Sequence, residues 1–178
     1  MELPLVLFSS DGQEWRKPDR PLRWASDDDR RVTKIVVGTL ASPGDEAESV
    51  TLKSPLPKDL ARRFPQLSHL HLWNVENLTA LPELPDTLRV LDVRACPQLE
   101  SLPKLPAQLE SLIVTDCPAA TLKTDQTVTI PALTELILSG SASISANWID
   151  RILAGSPRIR RLDLSRCGQV GQIKSYPE

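Results

Sequence analysis

Residues 67 to 108 carry one 21-residue phrase twice, LSHLHLWNVENLTALPELPDT and then LRVLDVRACPQLESLPKLPAQ. An internal copy at a period of about 20 to 29 residues, built on LxxLxL, prescribes one strand and one return segment per copy. No single copy can bury its own apolar side, so neighbouring copies must stack and cover one another.

Sliding the LxxLxL frame along the chain finds starts at Val32, Leu67, Leu88, Leu109, Leu133 and Ile159, separated by 35, 21, 21, 24 and 26 residues. The fourth and sixth positions are aliphatic in all six: Ile35 and Val37, Leu70 and Leu72, Leu91 and Val93, Leu112 and Val114, Leu136 and Leu138, Leu162 and Leu164. Strand side chains alternate faces, so these point into a core, and the third, fifth and seventh positions point outwards. The twelfth position is apolar again at Leu78, Leu99, Ala120, Ile144 and Val170, which closes the core behind the strand. The expected fold is α/β: a solenoid with a curved, right-handed parallel sheet and short helices or extended segments on its convex side. It occupies residues 32 to 178.

Residues 1 to 31 do not fit the frame. Leu3, Leu5, Val6, Leu7, Phe8, Trp15, Leu22 and Trp24 make them apolar enough to shield the first strand edge, so they are expected to form an N-terminal cap or leader. In the long first repeat, an irregular excursion with Asp45, Glu46 and Glu48 precedes PKDLARRF, residues 57 to 64, which suits a short helix opened by proline. The runs LPELP, residues 81 to 85, and LPKLP, residues 102 to 106, forbid a regular helix and favour extended backbone. SANWIDRIL, residues 145 to 153, predicts a capped helix stopped by Gly155. Residues 171 to 178 hold no amphipathic cover for the last repeat. The expectation is therefore a longer natural chain, docking of another domain, or self-association through that repeat.

At 178 residues, one array accounts for most of the chain. A net charge of −2 offers no global basic field, so neither nucleic acid nor an anionic membrane surface is an expected partner. The apolar run Leu3 to Phe8 has no basic residues before it and is too short for a signal peptide core or a membrane span, which points to the cytoplasm. All three cysteines, Cys96, Cys117 and Cys167, fall on the ninth position of a repeat. There a small side chain turned inwards can donate weakly to backbone carbonyls, a structural role rather than a redox or catalytic one. Three evenly spread cysteines also argue against a disulfide framework.

The segment LPELPDTLRVLDVRACPQLESLPKLPAQLESLIVTDCP, residues 81 to 118, resembles the leucine-rich repeats of secreted bacterial effectors and of plant disease-resistance receptors. Residues 133 to 167, with LILSG, a helical insert and SPRIRRLDLSRC, are similar to the cysteine-containing repeats of F-box proteins. The resemblance implies protein recognition through the concave sheet face. It also implies an alternative role as the sensor or substrate-choosing segment of a larger defence or ubiquitin-signalling assembly. A separate ubiquitin-ligase domain or nucleotide-binding switch is not expected in this chain, since it has no GxxxxGK[ST] loop and all three cysteines sit in repeats.

The outward columns name the candidate site. Third positions are Lys34, His69, Val90, Ser111, Glu135 and Arg161; fifth positions are Val36, His71, Asp92, Ile113, Ile137 and Asp163; seventh positions are Gly38, Trp73, Arg94, Thr115, Ser139 and Ser165. His69, His71, Trp73, Asp92 and Arg94 should form one patch, because parallel strands set equal positions about 4.8 Å apart. Trp and Arg are the commonest interface anchors. Glu135 and Arg161 extend the expected partner-binding set, with Asp92 supplying charge complementarity. His69, His71 and Asp92 could also be read as a zinc site; without an evident second shell or pocket, surface histidines on a binding face are the simpler reading, and no metal or cofactor is expected. Asn77-Leu78-Thr79 is a glycosylation sequon, incidental without a secretory signal. No Ser-His-Asp or paired-carboxylate constellation stands out, so the chain is expected to be a non-catalytic interaction module.

Overall fold

The computed structural model describes residues 5–9, 32–38, 49, 52, 56–122 and 129–168. Its main sheet has seven strands. In spatial order these are β1 (Leu5–Ser9), β2 (Val32–Val37), β3 (His69–Trp73), β4 (Val90–Arg94), β6 (Ser111–Thr115), β8 (Glu135–Ile137) and β9 (Arg161–Asp163). The last six run parallel, and β1 lies antiparallel along the edge of β2. The remaining calls on residues 1 to 31, on Asp45, Glu46 and Glu48, on Val170 and on residues 171 to 178 lie outside the described residues. The protein is thus α/β with an open, mostly parallel sheet and two helices among the described residues.

The register follows the apolar spacing. Ile35, Leu70, Leu91, Leu112, Leu136 and Leu162 are successive cross-strand partners, and the first five have no exposed surface. A second row, Val37, Leu72, Val93 and Val114, runs beside it and is equally interior. The same carbonyl opens each pairing. Ser68 O accepts from the N–H groups of Arg89 (2.8 Å) and Val90 (2.9 Å), Arg89 O from Glu110 and Ser111, Glu110 O from Thr134 and Glu135, and Thr134 O from Arg160 and Arg161. Return segments of different length therefore deliver each strand to one hydrogen-bonding pattern.

The chain leaves each strand through a left-handed residue. Asn74, Ala95, Asp116, Gly140 and Arg166 all have φ between 50° and 73°. They stand one residue ahead of the ninth position, where the side chain turns inwards. Cys96 Sγ lies between Arg94 O (3.5 Å) and Leu72 O (3.7 Å), Cys117 Sγ between Thr115 O (3.3 Å) and Val93 O (3.9 Å), and Cys167 Sγ donates to Leu138 O (2.9 Å). Ser141 occupies the same place, fully buried, with its Oγ donating to Val114 O at 2.9 Å. The neighbouring Cys96 thiol and then burial push Cys117 up, and burial pushes Cys167 up, so both remain protonated donors at neutral pH.

The return segments differ by composition. Helix α1 (Leu60–Arg63) is a single turn that buries Leu60. Asp59 pairs with Arg62 and Arg63 at its start, and the Arg62 hydrogen bond holds the Asp59 carboxyl below its ordinary range. The two proline-rich runs hold no helix; Leu81, Leu84 and Leu102, each directly ahead of a proline, are buried. Behind them lies a ladder that the amino-acid pattern did not announce, where β5 (Ser101–Leu102) pairs in parallel with β7 (Thr121–Leu122) and Ala80 bridges to Ser101. Helix α2 (Ala146–Gly155) begins at Ser145, whose hydroxyl accepts from Trp148 N, and buries Trp148, Ile149, Ile152 and Leu153. The helix ends at Gly155, as its last helical residue and not as a left-handed cap, since Gly155 has no positive φ; Ser156 caps it, its N–H bonding Leu153 O.

Candidate functional site

Strand β3 alternates cleanly: Leu70 and Leu72 are buried in the core, while His69, His71 and Trp73 stand partly exposed on the other face. Parallel pairing with β4 sets Asp92 beside His71 and Arg94 beside Trp73. Five of the seven expected residues are therefore neighbours. Their rings form a column along the strand: His69 and His71 stack with centres 6.2 Å apart, and His71 meets Trp73 edge on at 5.3 Å.

The fifth column is less open than its outward placement implies. Val36, Asp92 and Ile113 are buried, and Asp92 keeps only 4% of its surface. Its carboxylate accepts from Arg94 Nε at 2.6 Å, from Arg94 Nη2 at 3.2 Å and from His71 Nδ1 at 3.3 Å. Burial pushes the Asp92 pKa up, but the hydrogen bonds of His71 and Arg94, with help from the Trp73 indole, outweigh it and leave the pKa below the ordinary value. The indole leans towards this carboxylate without reaching hydrogen-bonding geometry, and Trp73 Nε1 has no partner. Asp92 thus does not offer a free charge to a partner, contrary to expectation. It is neutralised within the sheet and positions Arg94 and His71, and the Arg94 side chain, 36% exposed, is the charge presented outwards.

The bond to Asp92 also fixes one imidazole hydrogen. An ionised carboxylate can only accept, so His71 Nδ1 carries the hydrogen facing Asp92. Ser68 Oγ lies 3.0 Å from Thr33 O and 2.8 Å from His69 Nδ1, and its single hydrogen serves one of the two, so the His69 tautomer sets the direction of that bond. Burial, then the neighbouring His71 and Lys34, lowers the His69 pKa. Ser68 is a part of this site that the column reading missed. The hydroxyl residues at the second position of three repeats, Thr33, Ser68 and Thr134, were the available signal, since each stands beside the carbonyl that opens a strand pairing.

The imidazoles of His69 and His71 are stacked, with ring centres 6.2 Å apart and planes 19° from parallel. Asp92 is already committed to Arg94 and His71. Among the described residues, no group of three or more His, Cys, Asp or Glu could hold a metal ion.

Glu135 and Arg161 lie apart from this cluster, beyond β6. They pair with each other at 2.9 Å, and Glu135 also accepts from Ser111 Oγ at 2.5 Å. Asn77 of the sequon is engaged as well. Its Oδ1 accepts from Leu52 N at 2.8 Å and its Nδ2 donates to Leu52 O at 2.7 Å, a two-point clamp that a glycan on Nδ2 would break.

No family model, no curated protein and no solved structure matches this chain. Among the described residues, no helix is long and apolar enough to cross a membrane.

Proposed function

We propose that the chain is a leucine-rich-repeat solenoid acting as a non-catalytic interaction module, and that it holds a protein partner on the outward face of β3 and β4. The register of one leucine per repeat along the interior row supports the repeat architecture. The observation that carries the binding reading is the ring column His69, His71 and Trp73 beside Arg94, whose charge is oriented by the buried Asp92. Large rigid rings bury area at small entropic cost, and a guanidinium held in place loses little further freedom on docking. Glu135 and Arg161, bound to each other, form a rim. Three free, buried cysteines fit a reducing compartment, in keeping with a cytoplasmic location.

The experiment is affinity capture with the wild-type chain, identification of the bound protein, and direct titration of that protein against variants. Trp73→Ala should cost on the order of 2 kcal/mol of binding, about thirtyfold in Kd, with Arg94→Ala adding to it. A partner bound equally well by the double variant would reject this face.

A further inference from the structure

A strand at the edge of a sheet turns half of its backbone groups away from its one neighbour. Towards β8, the N–H groups of Arg160 and Arg161 donate to Thr134 O, while Asp163 O and Ser165 O accept from Leu138 N and Gly140 N. Backbone groups alternate sides along a strand, so the N–H and C=O of Leu162 point the other way. One repeat earlier, Thr134 O, Leu138 N and Gly140 N serve the next copy. Their counterparts on the last repeat are Arg160 O, Leu164 N and Arg166 N, and none of the three is bonded to another described residue.

The core is open at the same edge. Leu67, Leu88, Leu109 and Leu133 have no exposed surface, but Ile159 in the same column is only partly buried. Leu162 is likewise only partly buried, although the five residues ahead of it in the interior row are fully covered. On the outward face, Arg161 and Asp163 carry opposite charges on either side of Leu162. The Arg161 side chain stays 73% exposed despite its bond to Glu135, and Asp163 makes no ion pair with a described residue.

This strand is complementary to itself. Laid antiparallel with Leu162 opposite Leu162, two copies set each Arg161 beside the other copy's Asp163 and carry the leucine row across the junction. Leu162 then exchanges both of its backbone bonds with its counterpart, and Leu164 N donates to the other copy's Arg160 O. A slip of one residue would set inward side chains against outward ones. The sheet's other edge, β1, reads LVLFS and has no acid to meet the arginines.

We propose that the chain pairs with a second copy through β9, by a twofold antiparallel contact centred on Leu162 that joins the two sheets into one. A twofold contact closes on itself, so the product is a dimer and not a filament. Exposed Arg158, Arg160 and Arg166 flank the strand, and their like charge keeps the pairing dependent on protein concentration. β6 and β8 separate β9 from β4, which leaves the face of β3 and β4 open on both copies.

Sedimentation of the wild-type chain should show monomer passing to dimer as concentration rises. Asp163→Arg sets arginine against arginine twice and should raise the dimer Kd by about tenfold. The register is tested with Arg161→Cys and Asp163→Cys, mixed and oxidised with oxidised glutathione. Positions 161 and 163 of opposite copies lie about 4.5 Å apart between Cα atoms, within disulfide reach, whereas like positions are about 7 to 8 Å apart, beyond it. The mixture should therefore give a 161-to-163 cross-link, identified by mass spectrometry, that neither variant gives alone. A monomer at every concentration, a dimer indifferent to Asp163→Arg, or equal cross-linking by one variant alone overturns the proposal. So does slow amide exchange at Leu162 and Leu164 in a chain that sediments as a monomer, since a segment of the same chain would then hold the edge. The cysteine mixture decides the matter even if Asp163→Arg fails to fold.

Discussion

Ala95 carries a methyl group into a backbone region that suits glycine or asparagine. Its φ of 50° repeats that of Asn74 and Asp116, whose short polar side chains tolerate the left-handed region, but alanine has no such compensation. Ala95→Gly should stabilise the fold by about 0.5 to 1 kcal/mol, the strain relieved less the added chain entropy, and raise Tm by roughly 1 to 4 °C in a thermal melt. Gly140 is the converse case. At φ 73°, a Cβ added there would lie 2.3 Å from Asp116 Oδ1 and 3.2 Å from the Asp116 backbone nitrogen. Arg166, two repeats from Asp116 in the same column, reaches it over Gly140 to pair at 3.2 Å. Both ends of that pair are exposed, so its own contribution is small.

Acid should weaken the protein at two residues. Asp92 has a folded pKa below its ordinary value, so its contribution is complete above about pH 4 and is lost as pH falls through the folded pKa. His69 also has a lowered folded pKa, so the unfolded chain takes the proton first and stability falls as pH drops below about 6.5. Thermal melts from pH 7 to pH 3 should show both losses. His69→Gln should flatten the upper one and Asp92→Asn the lower one, the latter at a cost of about 1 to 3 kcal/mol at neutral pH because an amide NH₂ would face the Arg94 and His71 donors. Identical pH profiles for wild type and Asp92→Asn would remove this account of the carboxylate.

At the scale of the element, the ninth-position column makes a comparison within one chain. Ser141 does through an oxygen what Cys167 does through sulfur, donating at 2.9 Å to the sixth-position carbonyl of the preceding repeat, while Cys96 and Cys117 in the same column lie nearer the seventh-position carbonyl of their own repeat. Ser141→Cys should therefore stay within about 1 kcal/mol of wild type, whereas Ser141→Ala leaves Val114 O without that donor and should cost about 1 to 3 kcal/mol by chemical denaturation. Equal costs for the two variants would show that volume alone matters there. Helix α2 illustrates how an element end is decided. The Ser145 cap was legible, because a hydroxyl accepting a third-residue N–H is a local event. At the helix's other end Gly155 is the last helical residue and no left-handed cap, and its carbonyl accepts Ile130 N from the return segment of the preceding repeat, a contact that the local sequence does not announce.

Across the whole molecule, protection from solvent should follow position in the sheet. The interior row of Leu70, Leu91 and Leu112 lies on strands flanked on both sides, while β9 has a described neighbour only on one. Amide hydrogen exchange should be slowest in β3, β4 and β6 and faster in β9. Slower exchange in β9 than in β4 would mean that the far edge is covered in solution.

The recurrence of leucine at fixed spacing determined the parallel strands, their inward faces and the buried cysteine column. Those features depend on distance along the chain, and a residue repeated at one strand position meets its own kind in the next copy. Only the tertiary structure decided that Asp92 would be buried against Arg94 and His71 and that Ser68 would orient His69. The cause is that each depends on which unlike side chain the neighbouring strand sets alongside, and on how tightly the outward face closes over it. Leucine periodicity carries no information about either.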